Sequence, residues 1–237
     1  MKTQERLCVV VPTYNERENV GRLIEEVRSV AIPGLVLLFV DDTSPDGTGD
    51  LIRDIASRDP SVKLFVRSAK TGIGSAYQDG FREAISSIAP DIIIEMDADL
   101  QHPPSAIPEL VRAIQAGADV AVGSRYVAGG GVPGWGLWRR TVSKGANAYA
   151  RTMLGIKVRD ATSGFRAYTR AKAEQLAFAA LPARGFEFQV ASLHLLKKGS
   201  RFVEVPYKFA VRTAGRSKLG LADMARFFFS VIRIALS

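Results

Sequence analysis

DIIIEMDADLQ, residues 91–101, places three isoleucines just ahead of two aspartates one residue apart. A run this short and apolar reads as a strand covered on both faces, and Asp97 and Asp99 fall just beyond its carboxyl end. In an extended chain, alternation sends residues 97 and 99 to the same side, where two neighbouring carboxylates repel unless a cation lies between them. Mg²⁺ or Mn²⁺ meets that demand, because a hard ion takes a few protein oxygens and completes its shell with waters or phosphate oxygens. Gln101 can add an amide oxygen from the following turn.

Outward from this stretch, comparable runs occupy 6–11 (RLCVVV), 35–40 (LVLLFV), 62–66 (VKLFV) and 118–123 (ADVAVG). They alternate with helical patterns at about 17–31, 46–58, 74–88 and 104–116. This order predicts an α/β fold, a doubly wound, mainly parallel sheet with helices on both faces. Ligands of such sheets gather beyond the carboxyl ends of the strands, which here means Thr13 to Glu16, Asp41-Asp42, Asp97 to Asp99 and Ser124-Arg125. A Gly-rich stretch, 128–136, reads as a mobile loop with an apolar anchor. Helices are expected at about 137–154, 171–179 and 187–198, followed by a strand at 201–209.

The 237 residues, 47% of them hydrophobic, suffice for one substantial core. A single cysteine, Cys8, inside a strand pattern excludes a disulfide framework. Neither a signal peptide nor a run of ~18 apolar residues is present, which predicts a cytoplasmic body. Charge is strongly segregated: through Trp138 there are 13 Lys/Arg against 19 Asp/Glu, and from Arg139 onward 19 against 5. An acidic first part suits a divalent cation; a basic second part suits phosphates or an anionic membrane. In the terminal segment, 219–237, polar positions Asp223, Arg226, Ser230, Arg233 and Ser237 recur at helical spacing beside Phe227, Phe228, Val231, Ile232 and Leu236. That is an amphipathic helix suited either to a membrane interface or to packing on the domain.

Around the other strand ends, Asp42 can accept hydrogen bonds from a nucleobase, and Tyr14 can stack on one while Glu16 reaches its edge or the ribose. Asp46 reads as a cap for the helix beginning near it. Neither a G-x-x-x-x-G-K-[ST] loop nor dinucleotide spacing is present, so phosphates must be handled by metal and cations. Candidate cations are Arg125, Arg212 and Lys218, and further along Arg139, Arg140, Lys144 and Arg151 beside the wedge at 135–138.

Six segments, VPTYNERENV, VDDTSPDGT, MDADLQHPP, GSRYVAGGGVPGWG, SGFRAY and VRTAGRSKLG, span residues 11–220 in order. Together they resemble the polyprenyl-phosphate (dolichol-phosphate) mannosyltransferases, inverting family 2 glycosyltransferases of the GT-A fold. The resemblance implies that Pro12, Tyr14, Glu16, Val40 and Asp42 contact the guanosine of GDP-mannose. It implies that Asp97, Asp99 and Gln101 hold Mg²⁺ or Mn²⁺, with Ala98 close to the donor. Arg125, Arg212 and Lys218 would engage donor and acceptor phosphates, and Asp99 with these three cations would carry catalysis. The acceptor would be a polyprenyl phosphate at the cytoplasmic face of a membrane. Residues 1–218 would form the catalytic domain, with 219–237 as an interfacial helix or a membrane-anchor protein providing attachment. Glu187 departs from the lysine of some relatives, and the multi-span extension of others is lacking. One alternative keeps the fold and transfers glucose or another hexose from a UDP-sugar. A nucleic-acid-binding protein, the other alternative, leaves Asp97 and Asp99 without a role.

Overall fold

The computed structural model describes residues 5–181, 185–210 and 221–236. Among them a seven-stranded sheet forms in the order β3-β2-β1-β4-β6-β5-β7. The strands are β1 (Leu7–Thr13), β2 (Leu35–Asp41), β3 (Val62–Val66), β4 (Ile92–Glu95), β5 (Val120–Ser124), β6 (Arg166–Thr169) and β7 (Phe202–Pro206). The helices are α1 (Arg17–Ser29), α2 (Thr48–Arg58), α3 (Ile73–Glu83), α4 (Ile107–Gln115), α5 (Leu137–Leu154), α6 (Arg170–Phe178), α7 (Phe188–Leu196) and α8 (Leu221–Ala235). The expected alternation is present to within a few residues, and a short π turn at Ala84–Ile88 extends α3.

The sequence pattern missed β6. It is only four residues long, ends in an arginine–alanine–tyrosine–threonine series without an apolar run, and pairs antiparallel to both β4 and β5. Its insertion makes the sheet mixed, with parallel strands on either side. Two apolar layers cover the sheet, one centred on Val10, Tyr77, Phe81, Tyr168 and Phe188, the other on Val9, Phe39, Ile94, Leu110 and Phe165. Residues alternating along β1 feed opposite layers, as the two-residue repeat of a strand requires.

Strand order reverses at β1, whose neighbours are β2 on one side and β4 on the other. The β1–β4 pairing stops at Val10↔Glu95, two residues before Pro12, whose ring offers no N–H to a ladder. In open α/β sheets ligands gather beyond the strand ends at such a switch point.

The Gly-rich stretch is strapped down rather than free. Gly131 N–H donates to the Tyr207 carbonyl at 3.0 Å and Phe209 N–H to the Gly131 carbonyl at 2.9 Å. The Trp135 ring meets Phe209 edge-on at 5.4 Å. The terminal helix also differs from the expected stripe: Ser230, Val231 and Ile234 are buried, and Tyr149 of α5 stacks on Phe228 at 4.4 Å. The buried positions recur at helical spacing, so α8 packs on the domain while Phe229 and Leu236 stay exposed. Among the described residues no helix is long and apolar enough to cross a membrane.

Gly80 lets α3 sit directly on the sheet. A Cβ there would lie 2.5 Å from Val10 Cγ1 and 2.8 Å from Val40 Cγ2. Gly80→Ala is expected to destabilise the fold by about 1–3 kcal/mol through overpacking, more than the ~1 kcal/mol that alanine gains in a helix. Urea unfolding measures it, and Val10→Ala in the same chain should recover part of the loss.

Candidate active site

Beyond Glu95 the chain bends, so the two aspartates stand past the strand on a turn and not on extended backbone. Ala98 is buried while Asp97 and Asp99 are partly exposed, which keeps both carboxylates on the open side. Leu100, at φ +62°, tightens the turn. Tyr77 Oη donates to Asp97 Oδ1 at 2.8 Å. The Asp97 N–H donates to His102 Nδ1 at 3.1 Å, and burial pushes that imidazole down to about 4, so it is a neutral acceptor whose proton sits on Nε2. Asp99 Oδ1 accepts from Gln101 N–H at 3.1 Å, and the Gln101 amide donates to the Ala210 carbonyl at 3.2 Å, leaving its oxygen as the end suited to a cation.

These oxygens fit a hard divalent ion. Among the described residues no three His, Cys, Asp or Glu side chains converge, so Asp97, Asp99 and Gln101 would offer only part of a shell. A partial shell of this kind matches Mg²⁺ or Mn²⁺ that takes its remaining ligands from waters and a diphosphate.

The ends of β1 and β2 lie side by side, with Pro12 opposite Val40 and Thr13 opposite Asp41. Asp41 is structural: it accepts from Thr13 Oγ1 at 3.0 Å, Ser44 Oγ at 2.6 Å and Ser44 N–H at 2.9 Å. Asp46 accepts from Thr48 N–H at 3.0 Å, the expected cap of α2. Asp42 is buried and paired with Arg67, and burial raises its carboxyl despite that guanidinium and Lys70. Glu16 accepts from the Asn19 amide at 2.7 Å. Tyr14 carries the Lys70 ammonium 3.3 Å above its ring, a cation–π contact on the face expected to receive a base. Val40 is fully buried, its side chain packed toward Gly80, so its assignment to the guanosine rests on the resemblance.

Arg125 follows β5 and opens a separate basic cleft of about 850 Å³, lined also by Arg140, Lys144, Arg151, Arg159 and Lys208. Asp160 grips Arg125 through Nε at 2.7 Å and Nη2 at 2.6 Å, and Thr162 takes Nη2 at 2.9 Å. Among the described residues, Nη1 is the guanidinium nitrogen left for an outside anion. Phe209 joins the two regions, its ring 5.9 Å from His102 and 5.4 Å from the Arg125 guanidinium. Arg212 and Lys218 lie outside the described residues. Glu187 folds onto its own turn, accepting from Gly185 N–H at 3.2 Å.

This arrangement, a carboxylate pair beyond β4, Tyr14 and Asp42 beyond the neighbouring strands β1 and β2, and a basic cleft at Arg125, suits transfer from a nucleotide-activated donor. The family model described as glycosyl transferase family 2 matches residues 8–177. The chain belongs to this family. It is 41% identical over 234 residues to the polyprenol monophosphomannose synthase of Mycolicibacterium smegmatis, covering 98% of this chain and 87% of that one. It is 37% identical over 233 residues to the undecaprenyl-phosphate mannosyltransferase of Micrococcus luteus, covering 98% and 95%. Identity to the dolichol-phosphate mannosyltransferase of Pyrococcus furiosus is 40% over 216 residues, 90% of this chain and 59% of that one. Glucosyl-3-phosphoglycerate synthase from Mycobacterium tuberculosis, solved with Mn²⁺, UDP and phosphoglyceric acid, superposes with a TM-score of 0.69 at 22% identity, covering 98% and 78%. That likeness is one of fold, the GT-A arrangement.

Several residues of this family 2 glycosyltransferase went unread in the sequence. Glu95 is fully buried and pushed up to about 7 by burial. It accepts from Tyr168 Oη at 2.7 Å and from the Gln189 amide, while Arg166 lies opposite it in the β4–β6 register. A lone glutamate inside the run IIIEM was the available signal. Asp160 and Arg67 had none, because their partners come from distant strands. Asp160 and Arg125 are both nearly covered, so Asp160→Asn leaves a buried guanidinium without its counter-charge. It is expected to cost about 3–5 kcal/mol of stability, read as a lowered denaturation midpoint.

Proposed function

We propose that the chain transfers mannose from GDP-mannose to a polyprenyl (dolichyl) phosphate, inverting the anomeric centre, at the cytoplasmic face of a membrane. The observation that carries this reading is the Asp97–Asp99 pair beyond β4, together with Tyr14 and Asp42 beyond β1 and β2 and the basic cleft at Arg125. The names of relatives sharing about two-fifths of the sequence over nearly the whole chain support the substrate pair.

In this reading Asp97, Asp99 and Gln101 hold Mg²⁺ or Mn²⁺, which supplies charge neutralisation at the diphosphate when bound. Pro12, Tyr14, Glu16 and Asp42 position the guanosine, and the Ala98 backbone approaches the donor. Arg125, with Arg140, Lys144 and Arg151, receives the lipid phosphate. A phosphate oxygen attacks the anomeric carbon as the bond to the departing GDP breaks. A phosphate monoester is already anionic near neutral pH, so the chain needs no general base; positioning and charge stabilisation lower the barrier. Arg212 and Lys218 are assigned to the phosphates by resemblance. Residues 1–218 form the catalytic domain. Attachment falls to the terminal helix, whose Phe228 and Phe229 are exposed, helped by Leu137 and Trp138 of α5 or by an anchoring membrane protein.

Incubation with polyprenyl phosphate, Mg²⁺ or Mn²⁺ and a panel including GDP-mannose and UDP-glucose, read by mass spectrometry, is expected to give the mannolipid. Formation of another hexolipid instead would reassign the donor, and no product from any donor would sink the reading. Asp99→Ala is expected to lower turnover by ~10²-fold or more without unfolding the chain. Replacing Arg140 and Lys144 by alanine should weaken co-sedimentation with anionic vesicles by about 2 kcal/mol, roughly 30-fold; unchanged binding and turnover would remove the basic helix face from the account.

A further inference from the structure

Arg67, at the end of edge strand β3, is almost completely buried, and nearly every donor of its guanidinium is used. Nε donates to Asp79 Oδ2 at 2.8 Å and Nη1 to Asp42 Oδ1. Nη2 donates to Thr71 Oγ1 at 2.6 Å and to Ser75 Oγ at 2.8 Å. Its backbone is fixed as well: the Arg67 N–H donates to the Asp41 carbonyl at 2.8 Å, and the Arg67 carbonyl accepts from Thr43 Oγ1 at 2.6 Å. One side chain thus ties the end of β2 to the turn entering α3 and to α3 itself. That same turn carries Lys70, whose ammonium sits on Tyr14.

We infer that Arg67 is a positioning residue for the nucleobase, holding Asp42 and the turn that carries Lys70 in one arrangement through a single buried guanidinium. The inference rests on the proposal that Asp42 meets the base. An ionised carboxylate is the stronger acceptor for the N–H groups of a base edge, and burial works against that state at Asp42. The charged groups acting on it are Arg67 and Lys70, which favour the anion, and Asp41, which opposes it; Asp79 shares the Arg67 guanidinium. Loss of the Arg67 charge removes the foremost favourable influence, so Asp42 takes up its proton at higher pH. Lysine keeps a charge yet cannot span four partners with one ammonium.

The test is calorimetric titration of the full chain with GDP and, separately, with pyrophosphate, at fixed Mn²⁺ between pH 5.5 and 8. Wild type, Arg67→Lys, Arg67→Met and Asp79→Asn are compared. Arg67→Met is expected to weaken GDP by ~10–100-fold while pyrophosphate affinity stays within about twofold. Its GDP affinity should begin to fall at higher pH than that of wild type. Arg67→Lys and Asp79→Asn should fall between the two, and they decide the matter if Arg67→Met does not fold. Variants that retain the wild-type preference for GDP over pyrophosphate across the pH range overturn the inference. So does a parallel loss of both ligands, which marks a general disturbance of the fold. Wild type that binds GDP no better than pyrophosphate instead refutes the base-end reading itself.

Discussion

Two carboxylates held a residue apart at the end of a buried strand repel one another, and the surrounding structure is arranged around that repulsion. Asp97 is steadied by the Tyr77 hydroxyl, and its own N–H is absorbed by a histidine that burial keeps neutral. Neither neighbour neutralises the pair. The neutral ring of His102 fixes the turn by accepting from the Asp97 N–H and adds no positive charge beside it.

On both flanks of this pair the same device recurs: a buried guanidinium clamped by a carboxylate from another strand end or loop. Arg67 grips Asp42 and Asp79 on one side, and Asp160 grips Arg125 on the other. Such pairs add little net stability over apolar packing, since burying both charges offsets their attraction. What they supply is geometry. Each fixes buried charged groups just beyond a strand end, Arg67 after β3 and Arg125 after β5.

Much of the fold was legible because parallel strands buried on both faces must be continuously apolar, and five such runs alternate with helical patterns before residue 124. The carboxylate pair was legible for the same reason, since its place after a run is what gives a two-aspartate motif meaning. Legibility ended where contacts are long-range. β6 has too few apolar residues to announce itself and exists because β4 and β5 flank it. Arg67 looks like any surface arginine until Asp42 and Asp79 arrive from other elements. Val40, assigned to the nucleotide by resemblance, lies in the core beside Gly80, where the structure by itself gives it a packing role. The terminal segment forms the helix α8, but Ser230, counted on its polar stripe, is buried.

The segregation of charge along the chain acquires a spatial meaning in this architecture. The acidic part builds β1 to β5 and with them the carboxylate pair, whereas the basic part supplies α5 and the segments that line the cleft beside Arg125. Each reactant that meets the protein here is an anion, and two anions must approach closely for transfer to occur. A single basic basin would bind either one in either place. In the proposed arrangement, oxygen ligands that need a metal and fixed cations that do not would make the two subsites chemically different and sort a diphosphate from a lipid monophosphate.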